Sequence, residues 1–201
     1  MLKTALRLAV FGLAVSLVSS GTPVSAYPVG TNLTATIVPD MIVAKTGKAT
    51  LTIKNANPST FVTVQYGTQT SSEPNTATLI RDISGLSAGI YVVNVSTPIY
   101  KDKDIFESKS VTLYVPGVTA PKSGKIKAKT VIKLKFLKPG TIITLQPTAG
   151  KKKKKRIKVV VKANATSAKI TIPAKTFSKG KKNTFKLTIG KISKTYKFTG
   201  K

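Results

Sequence analysis

Apolar and polar residues alternate in short segments along most of the chain, and this period of two constrains the fold more than any other feature. A period of two places successive side chains on opposite faces of a β-strand. Turn residues separate the segments at short intervals, as in antiparallel β-sandwiches. After the first 26 residues no convincing helical period is found. The sequence therefore predicts an all-β protein, with short strands in its first half over 33–38, 49–55, 61–67, 78–83, 85–95 and 110–115. The polar segment 68–76 is expected to be a loop.

The first 26 residues have the pattern of a secretory signal peptide. Lys3 and Arg7 lead into an uncharged apolar run over 8–18, and small residues at Val24 and Ala26 suit a signal peptidase. The apolar run is shorter than the ~20 residues that a membrane-spanning helix needs. We therefore predict cleavage after Ala26, and a secreted or cell-surface-associated protein with no transmembrane span after cleavage.

The chain has no Cys and no His, which excludes most kinds of active site and metal site. Without Cys there is no disulfide and no thiolate nucleophile, and without His the commonest general base and metal ligand are missing. Asp102, Asp104 and Glu107 lie close in sequence but lack the glycine and the full ligand series of a calcium loop. The sequence thus predicts a non-enzymatic protein without a cofactor or a bound metal.

Charge divides the chain into two unequal parts. Residues 27–116 carry seven cations and all six acids, whereas residues 117–201 carry 25 Lys and Arg and no acid. Such a contrast is typical of two units with different roles. We expect a near-neutral domain over 27–116, a linker over 117–124 and a Lys-rich domain over 125–201.

The segment Leu86–Val95, which reads LSAGIYVVNV, is the most informative stretch. It resembles the E–F corner of bacterial immunoglobulin-like and fibronectin-type-III-like domains, which are secreted β-sandwiches. The resemblance extends as a strand pattern over Thr31–Val115. It implies that Tyr91 begins strand F and braces the corner. It implies a fold and carries no function.

The second half follows the same plan. Lys48–Tyr66 has a counterpart in Lys129–Gln146, and Thr78–Val95 has one in Lys169–Ile189, with Phe185 near the place of Tyr91. We therefore predict a degenerate tandem repeat. The complete prediction is two tandem immunoglobulin-like antiparallel β-sandwiches after a cleaved signal peptide.

Lysines of the second half occupy the polar positions of the alternating segments. Lys133 and Lys135 alternate with apolar neighbours, and the run Lys151–Arg156 is expected to be a loop that turns at Ala149 and Gly150. Export argues against reading this run as a nuclear import signal. The aromatic residues that are expected on the inward face are Phe136, Phe185, Tyr196 and Phe198.

A surface of one charge sign destabilises a fold through self-repulsion unless an anionic partner screens it. Lysines act as mobile point charges, which favours repetitive anions over a specific base code. The expected partner is an anionic polymer or an anionic cell surface: wall polymer, polysaccharide, lipid headgroups or extracellular DNA. The candidate contacts are Lys151, Lys152, Lys153, Lys154, Lys155, Arg156, Lys158, Lys133, Lys135, Lys181 and Lys182.

Two other interpretations stay open at this stage. The lysines could be a solvated face that keeps strand edges from pairing with other chains. Alternatively, the protein could be a structural spacer or an assembly subunit of the cell envelope that acts through protein contacts, with a partner docked on the first domain.

Overall fold

The computed structural model describes residues 32–56, 60–74, 76, 78–99 and 105–201. The predicted signal peptide lies outside the described residues. Within them the chain forms 16 β-strands and no helix, and the strands assemble into two sandwiches, one in each half. The predicted all-β class with two immunoglobulin-like sandwiches is confirmed.

The first sandwich consists of a three-stranded and a four-stranded sheet. Its order is β1–β2–β5 in one sheet and β4–β3–β6–β7 in the other, with every pairing antiparallel. The strands are β1 Thr34–Val38, β2 Lys48–Lys54, β3 Phe61–Tyr66, β4 Gln69–Pro74, β5 Thr78–Ser84, β6 Gly89–Pro98 and β7 Phe106–Val115. The expectation of a loop over 68–76 is wrong, because Gln69–Pro74 forms a hairpin with β3 around Gly67, whose φ is +56°.

The second sandwich repeats this arrangement. One sheet has the order β14–β10–β8; the other has the order β12–β11–β15–β16–β9, with β13 also paired to β11. The strands are β8 Gly117–Thr119, β9 Ser123–Gly124, β10 Thr130–Lys135, β11 Ile142–Ala149, β12 Lys152–Lys153, β13 Ile157–Val160, β14 Ser167–Ile172, β15 Asn183–Ile189 and β16 Ile192–Gly200. The shared strand plan agrees with the predicted repeat, which as a relation between the two sequences stays a prediction.

Residues 117–124 are not a linker, contrary to the sequence prediction. β8 pairs with β10, and β9 runs parallel to the end of β16. Only Pro116 separates β7 from β8. The segment was expected to be a linker because it is short and rich in Gly, Pro and Ser, yet its backbone groups complete both sheets of the second sandwich.

The alternation predicts the cores well. Val62 and Val64 of β3 are buried in the first core, and Ile143 and Leu145 of β11 are buried in the second. Burying one such side chain stabilises the fold by roughly 1.5–3 kcal/mol. Each core lies between its own two sheets, so each sandwich has an apolar interior of its own.

Phe136 departs from the predicted inward set. The residue has a φ of +59°, which ends the alternation of β10, and it lies half-buried near Gly117. Leu137, which is fully buried, takes the core position instead. Phe185 and Phe198 are buried as predicted, and Tyr196 packs at the margin of the core.

The corner before β6 has the brace that the resemblance implies. The Tyr91 hydroxyl donates to the Ser87 carbonyl oxygen at 3.0 Å. Ser87 follows the buried Leu86, and in the second sandwich Ser178 follows the buried Phe177. The residue that bonds Ser178 is Asn183, so the place of Tyr91 falls on Asn183 rather than on Phe185.

Asn183 performs the same bracing by other chemistry. Its Nδ2 donates to the Ser178 carbonyl at 2.8 Å, and its Oδ1 accepts from the Ser178 N–H at 3.1 Å. Since Asn183 is buried, these two bonds satisfy an amide that would otherwise be costly to bury.

Candidate polyanion-binding surface

Every cation of the second sandwich is exposed. All 25 Lys and Arg from Gly117 to Lys201 are solvent-accessible side chains, and no acid lies among them. Among the described residues the ion pairs are Arg81–Glu73, at 2.9 Å, and Lys138–Asp40, which joins the two halves. The other 24 cations of the second sandwich therefore carry charge that no described acid neutralises.

The run of six cations forms a hairpin, and we call residues 150–156 the basic hairpin. Gly150, with a φ of +60°, makes the turn after β11 as predicted. Lys152 and Lys153 form β12 and pair with the end of β11, so the run is partly a strand rather than a loop. The Lys154 N–H donates to the Pro147 carbonyl at 2.9 Å, and Gln146 Nε2 donates to the Lys154 carbonyl. These bonds hold the backbone while the side chains project into solvent.

Lys181 and Lys182 lie beside the basic hairpin. The Gly150 N–H donates to the Lys182 carbonyl at 3.0 Å. A methyl group at Gly150 would lie 3.5 Å from Cδ of Lys181. The fold thus brings together eight of the sequence-predicted contacts at the basic hairpin and beside it, namely Lys151, Lys152, Lys153, Lys154, Lys155, Arg156, Lys181 and Lys182. Lys158 lies further along the sheet on β13, opposite Thr144.

Two clefts flank this cluster. One has a volume of about 340 Å³ and is lined by four cations, from Lys154 to Lys158, together with Pro173 and Thr176. The other has a volume of about 510 Å³ and is lined by Lys181, Lys182 and Lys197. Both are open clefts in which an acidic group would contact several ammonium groups at once.

Lys133 and Lys135 do not join this cluster. They project from β10, which belongs to the other sheet, so they lie on the opposite outer face of the sandwich. Lys133 is directly opposite Lys169 of β14. Like charges in that position destabilise a sheet, and no described acid lies between them.

Three further cations lie on the outer sheet faces. The alternation of the sequence indicates this for Lys186 and Lys197, whereas Lys169 was missed. Lys169 on β14, Lys186 on β15 and Lys197 on β16 are exposed and face outward. Their place in the alternation was the available signal, since each follows an inward-facing residue. The cations consequently cover both outer faces of the second sandwich and one of its ends.

The first sandwich has a different exposed feature at the start of β3 and of β7. Phe61 and Phe106 have 46% and 49% of their side-chain surface exposed, and Ile105 is equally exposed. Pro98 pairs with Phe106, and Phe61 pairs with Pro74. These exposed apolar residues belong to the near-neutral half of the chain.

Known proteins add little to this description. No family model matches the chain, and no curated protein matches it. Among solved structures, the Yersinia pseudotuberculosis adhesin InvE matches with 13% identity and a TM-score of 0.30, over 83% of this chain and 58% of that one. An ICAM-5 D1–D4 ectodomain fragment matches with 12% identity and a TM-score of 0.32, over 84% and 53%. A Salmonella alpha-2-macroglobulin mutant matches with 7% identity and a TM-score of 0.33, over 86% and 15%.

This chain therefore spans between 15% and 58% of the length of these structures. At such TM-scores the matches carry no argument about function. The assignment of two immunoglobulin-like sandwiches depends on the strand order and the braced corner described above.

The described residues contain neither a membrane-spanning helix nor a cluster of metal ligands. Within the described ranges, no helix has the length and apolarity of a membrane span. Within the same ranges, no group of three or more potential metal ligands is close enough together to hold an ion. Asp102 and Asp104 of the rejected calcium loop lie outside the described residues.

Proposed function

We propose that this is an exported, non-enzymatic binding protein whose second sandwich attaches to anionic polymers without sequence specificity. The observation that carries the proposal is the surface of 25 exposed cations without one acid. Self-repulsion on such a surface costs stability, and the Lys133–Lys169 pair is one place where that cost is local. An anionic polymer would remove it.

The distribution of charge favours a flexible polymer over a flat partner. A membrane contacts one face of a protein, but here cations lie on both outer faces and at the end that carries the basic hairpin. A polymer network can surround the module and use all of them. Lysine ammonium groups, as mobile point charges, suit repeated carboxylates or phosphates.

The test is a salt titration of binding by the chain without residues 1–26. Duplex DNA, a teichoic-type polymer, a uronic polysaccharide and anionic vesicles are compared. Tight binding to a polymer that persists near physiological salt supports the proposal. If binding to all four partners falls equally and steeply with salt, it is generic cation exchange only. If the chain binds none of them even at low salt, the proposal is contradicted.

A matched pair of variants localises the effect. Lys151→Gln/Lys153→Gln/Lys155→Gln removes three charges from the basic hairpin. The control Lys48→Gln/Lys54→Gln/Lys109→Gln removes three exposed charges from the first sandwich. On DNA, the slope of log binding constant against log salt concentration is negative. We expect the basic-hairpin variant to reduce its magnitude by about 2–3 and the control to leave it unchanged. Equal effects would mean that net charge alone matters.

A second candidate function is a structural spacer or an assembly subunit. The exposed side chains of Phe61, Ile105 and Phe106 favour it, because large apolar side chains on the surface are characteristic of protein contacts. This candidate predicts assembly that survives high salt and is lost in Phe61→Ser/Phe106→Ser. Assembly that disappears in salt and persists in that variant would exclude it.

A further inference from the structure

The outer face of the β13–β11–β15–β16 sheet carries hydroxyl groups in regular rows between its lysines. Cross-strand register aligns Lys158, Thr144, Thr188 and Ser193 in one row. Lys158, Thr144 and Thr188 face outward, because their neighbours along each strand pack in the core. Ser193 is on the same face because it pairs with Thr188. The Thr188 and Ser193 hydroxyls lie 2.7 Å apart and share a hydrogen bond.

A second row lies four residues further along β11, at Thr148. It aligns Lys153, Thr148, Thr184 and Lys197, so that two hydroxyls are flanked by an ammonium group on each side. Between the two rows, Lys186 is directly opposite Gln146. The outward positions of this face therefore combine groups that both donate and accept with groups that only donate.

The face is long enough for an extended chain. Its four strands place the outermost two about 14 Å apart, and the eight residues of β11 extend for about 27 Å. No aromatic side chain projects from the described part of this face. Stacking of nucleic-acid bases, which uses aromatic platforms, therefore has no support here.

We infer that this face binds an anionic polysaccharide, a chain of sugar rings with a carboxylate or phosphate at regular intervals. Sugar hydroxyls both donate and accept hydrogen bonds, which matches the Thr and Ser rows, and the acidic groups match Lys153, Lys158, Lys186 and Lys197. This inference rests on the proposed function and adds the class of polymer and the face that reads it.

The same face continues into a groove between the sandwiches. A cavity of about 810 Å³ is lined by Thr144, Thr188 and Ile142 from the second sandwich and by Val38 and Pro39 from the first. Ile142 pairs with Val160, and 48% and 54% of their surfaces are exposed. The face is therefore apolar at the end where β11 begins. A polysaccharide that lies along the rows would place the apolar side of a ring against these residues.

The experiment separates sugar recognition from charge. Thr144→Val/Thr184→Val removes two hydroxyls from the face while keeping a branched side chain that suits a strand. Thr119→Val/Thr171→Val is the matched control on the opposite outer face, where both threonines are exposed. Each variant and the parent chain, all without residues 1–26, are titrated with polygalacturonate and with inorganic polyphosphate, which has no sugar.

We expect the first variant to bind polygalacturonate about tenfold more weakly, because two hydrogen bonds are lost. Its binding to polyphosphate and both affinities of the control variant should stay within about twofold of the parent. An unchanged affinity for polygalacturonate, an equal loss on both polymers, or an equal loss in the control would overturn the inference. The proposed function would survive each of these results, since it fails only if the parent chain binds neither polymer.

A second measurement keeps the inference testable if the variant unfolds. Backbone amide shifts of the parent chain are recorded with a short oligogalacturonate. Changes concentrated on β11, β15 and β16 are expected, and changes concentrated on β10 and β14 would place the sugar on the wrong face.

Discussion

The edges of the two sheets are joined by an ion pair in the first sandwich and by apolar packing in the second. Arg81 on β5 donates to Glu73 on β4 at 2.9 Å, and also to Ser71 of the same strand. The corresponding strands of the second sandwich are β14 and β13. There Ala168 and Val159 pack against the core instead. A module without acids cannot use internal ion pairs, so its edges and corners depend on uncharged groups.

The two cores also differ, since the second has more aromatic packing than the first. The second core stacks Phe177 on Phe198, with ring centroids 4.5 Å apart, and Phe185 on Tyr196, at 5.1 Å. Apart from Tyr66, the buried residues of the first core are aliphatic. Aromatic pairs contribute about 0.5–1.5 kcal/mol beyond the area they bury. Such packing can offset part of the repulsion among the surface lysines.

The largest expected effect tests this difference in cores. Phe185→Ala should destabilise the second sandwich by about 3–5 kcal/mol, because it opens a cavity and breaks a stacked pair. Val93→Ala, at the equivalent position of β6, should cost the first sandwich about 2 kcal/mol. Native-state hydrogen exchange of β15 and β6 amides in urea measures each sandwich separately. Equal losses would show that the aromatic core has no special role.

The next effect concerns the two corner braces. Asn183→Ala should cost about 1–3 kcal/mol, because it leaves the Ser178 N–H and carbonyl without partners in a buried site. Tyr91→Phe removes one exposed hydrogen bond and should cost about 0.5–1 kcal/mol. The same exchange experiment compares them. A larger loss from Tyr91→Phe would contradict the view that Asn183 is the functional counterpart of the tyrosine.

The two corners also show what the sequence could and could not predict. Tyr91 was predictable because Leu, small residues, Gly and Tyr follow one another in a recognisable order. The brace at Asn183 has no such motif, and it becomes visible only from the hydrogen bonds that Asn183 makes with Ser178. A buried amide can make the same kind of hydrogen bond as a hydroxyl. Residue type alone therefore did not reveal that Asn183 corresponds to Tyr91.

Charge placement shows a similar limit. Alternation correctly placed the lysines outside and the apolar residues inside. It could not show that Lys133 and the basic hairpin lie on opposite sides of the sandwich, because that depends on which sheet each strand joins. The closeness of Lys181 to Gly150 likewise comes from contact between distant segments.

Reversing one charge of the lysine pair should produce a smaller effect of opposite sign. Lys169→Glu replaces a repulsive pair with an attractive one across from Lys133, and should stabilise the second sandwich by about 1 kcal/mol at low salt. The control Lys186→Glu makes the same change of net charge opposite Gln146 and Thr195, where no lysine is directly opposite. Its gain should be smaller.

Unfolding at high salt shows whether the stability gain of Lys169→Glu comes from its charge opposite Lys133. In about 1 M NaCl, where charges are screened beyond about 3 Å, the difference between the two variants should vanish. Urea unfolding at low and high salt measures it. A difference that persists in high salt would show that the gain comes from packing or strand propensity rather than from charge.

The smallest expected effect is at the junction between the two sandwiches. The hydrogen bond and the charge of Asp40 raise the pKa of Lys138 above its ordinary value of 10.5. Both side chains are largely exposed, so Asp40→Asn should cost only about 0.2–1 kcal/mol. Because the pKa is raised on folding, this stability is fully present below pH 10.5 and is lost as the pH rises through the folded value.

The stability difference between the parent chain and Asp40→Asn should therefore be constant around pH 8 and shrink above pH 10.5. Measuring the difference cancels the titration of all other lysines, which both proteins share. If it stays constant through that range, the contact between Met41 and the second core, rather than the ion pair, is what joins the sandwiches. In that case Met41→Ala should weaken the junction and Asp40→Asn should not.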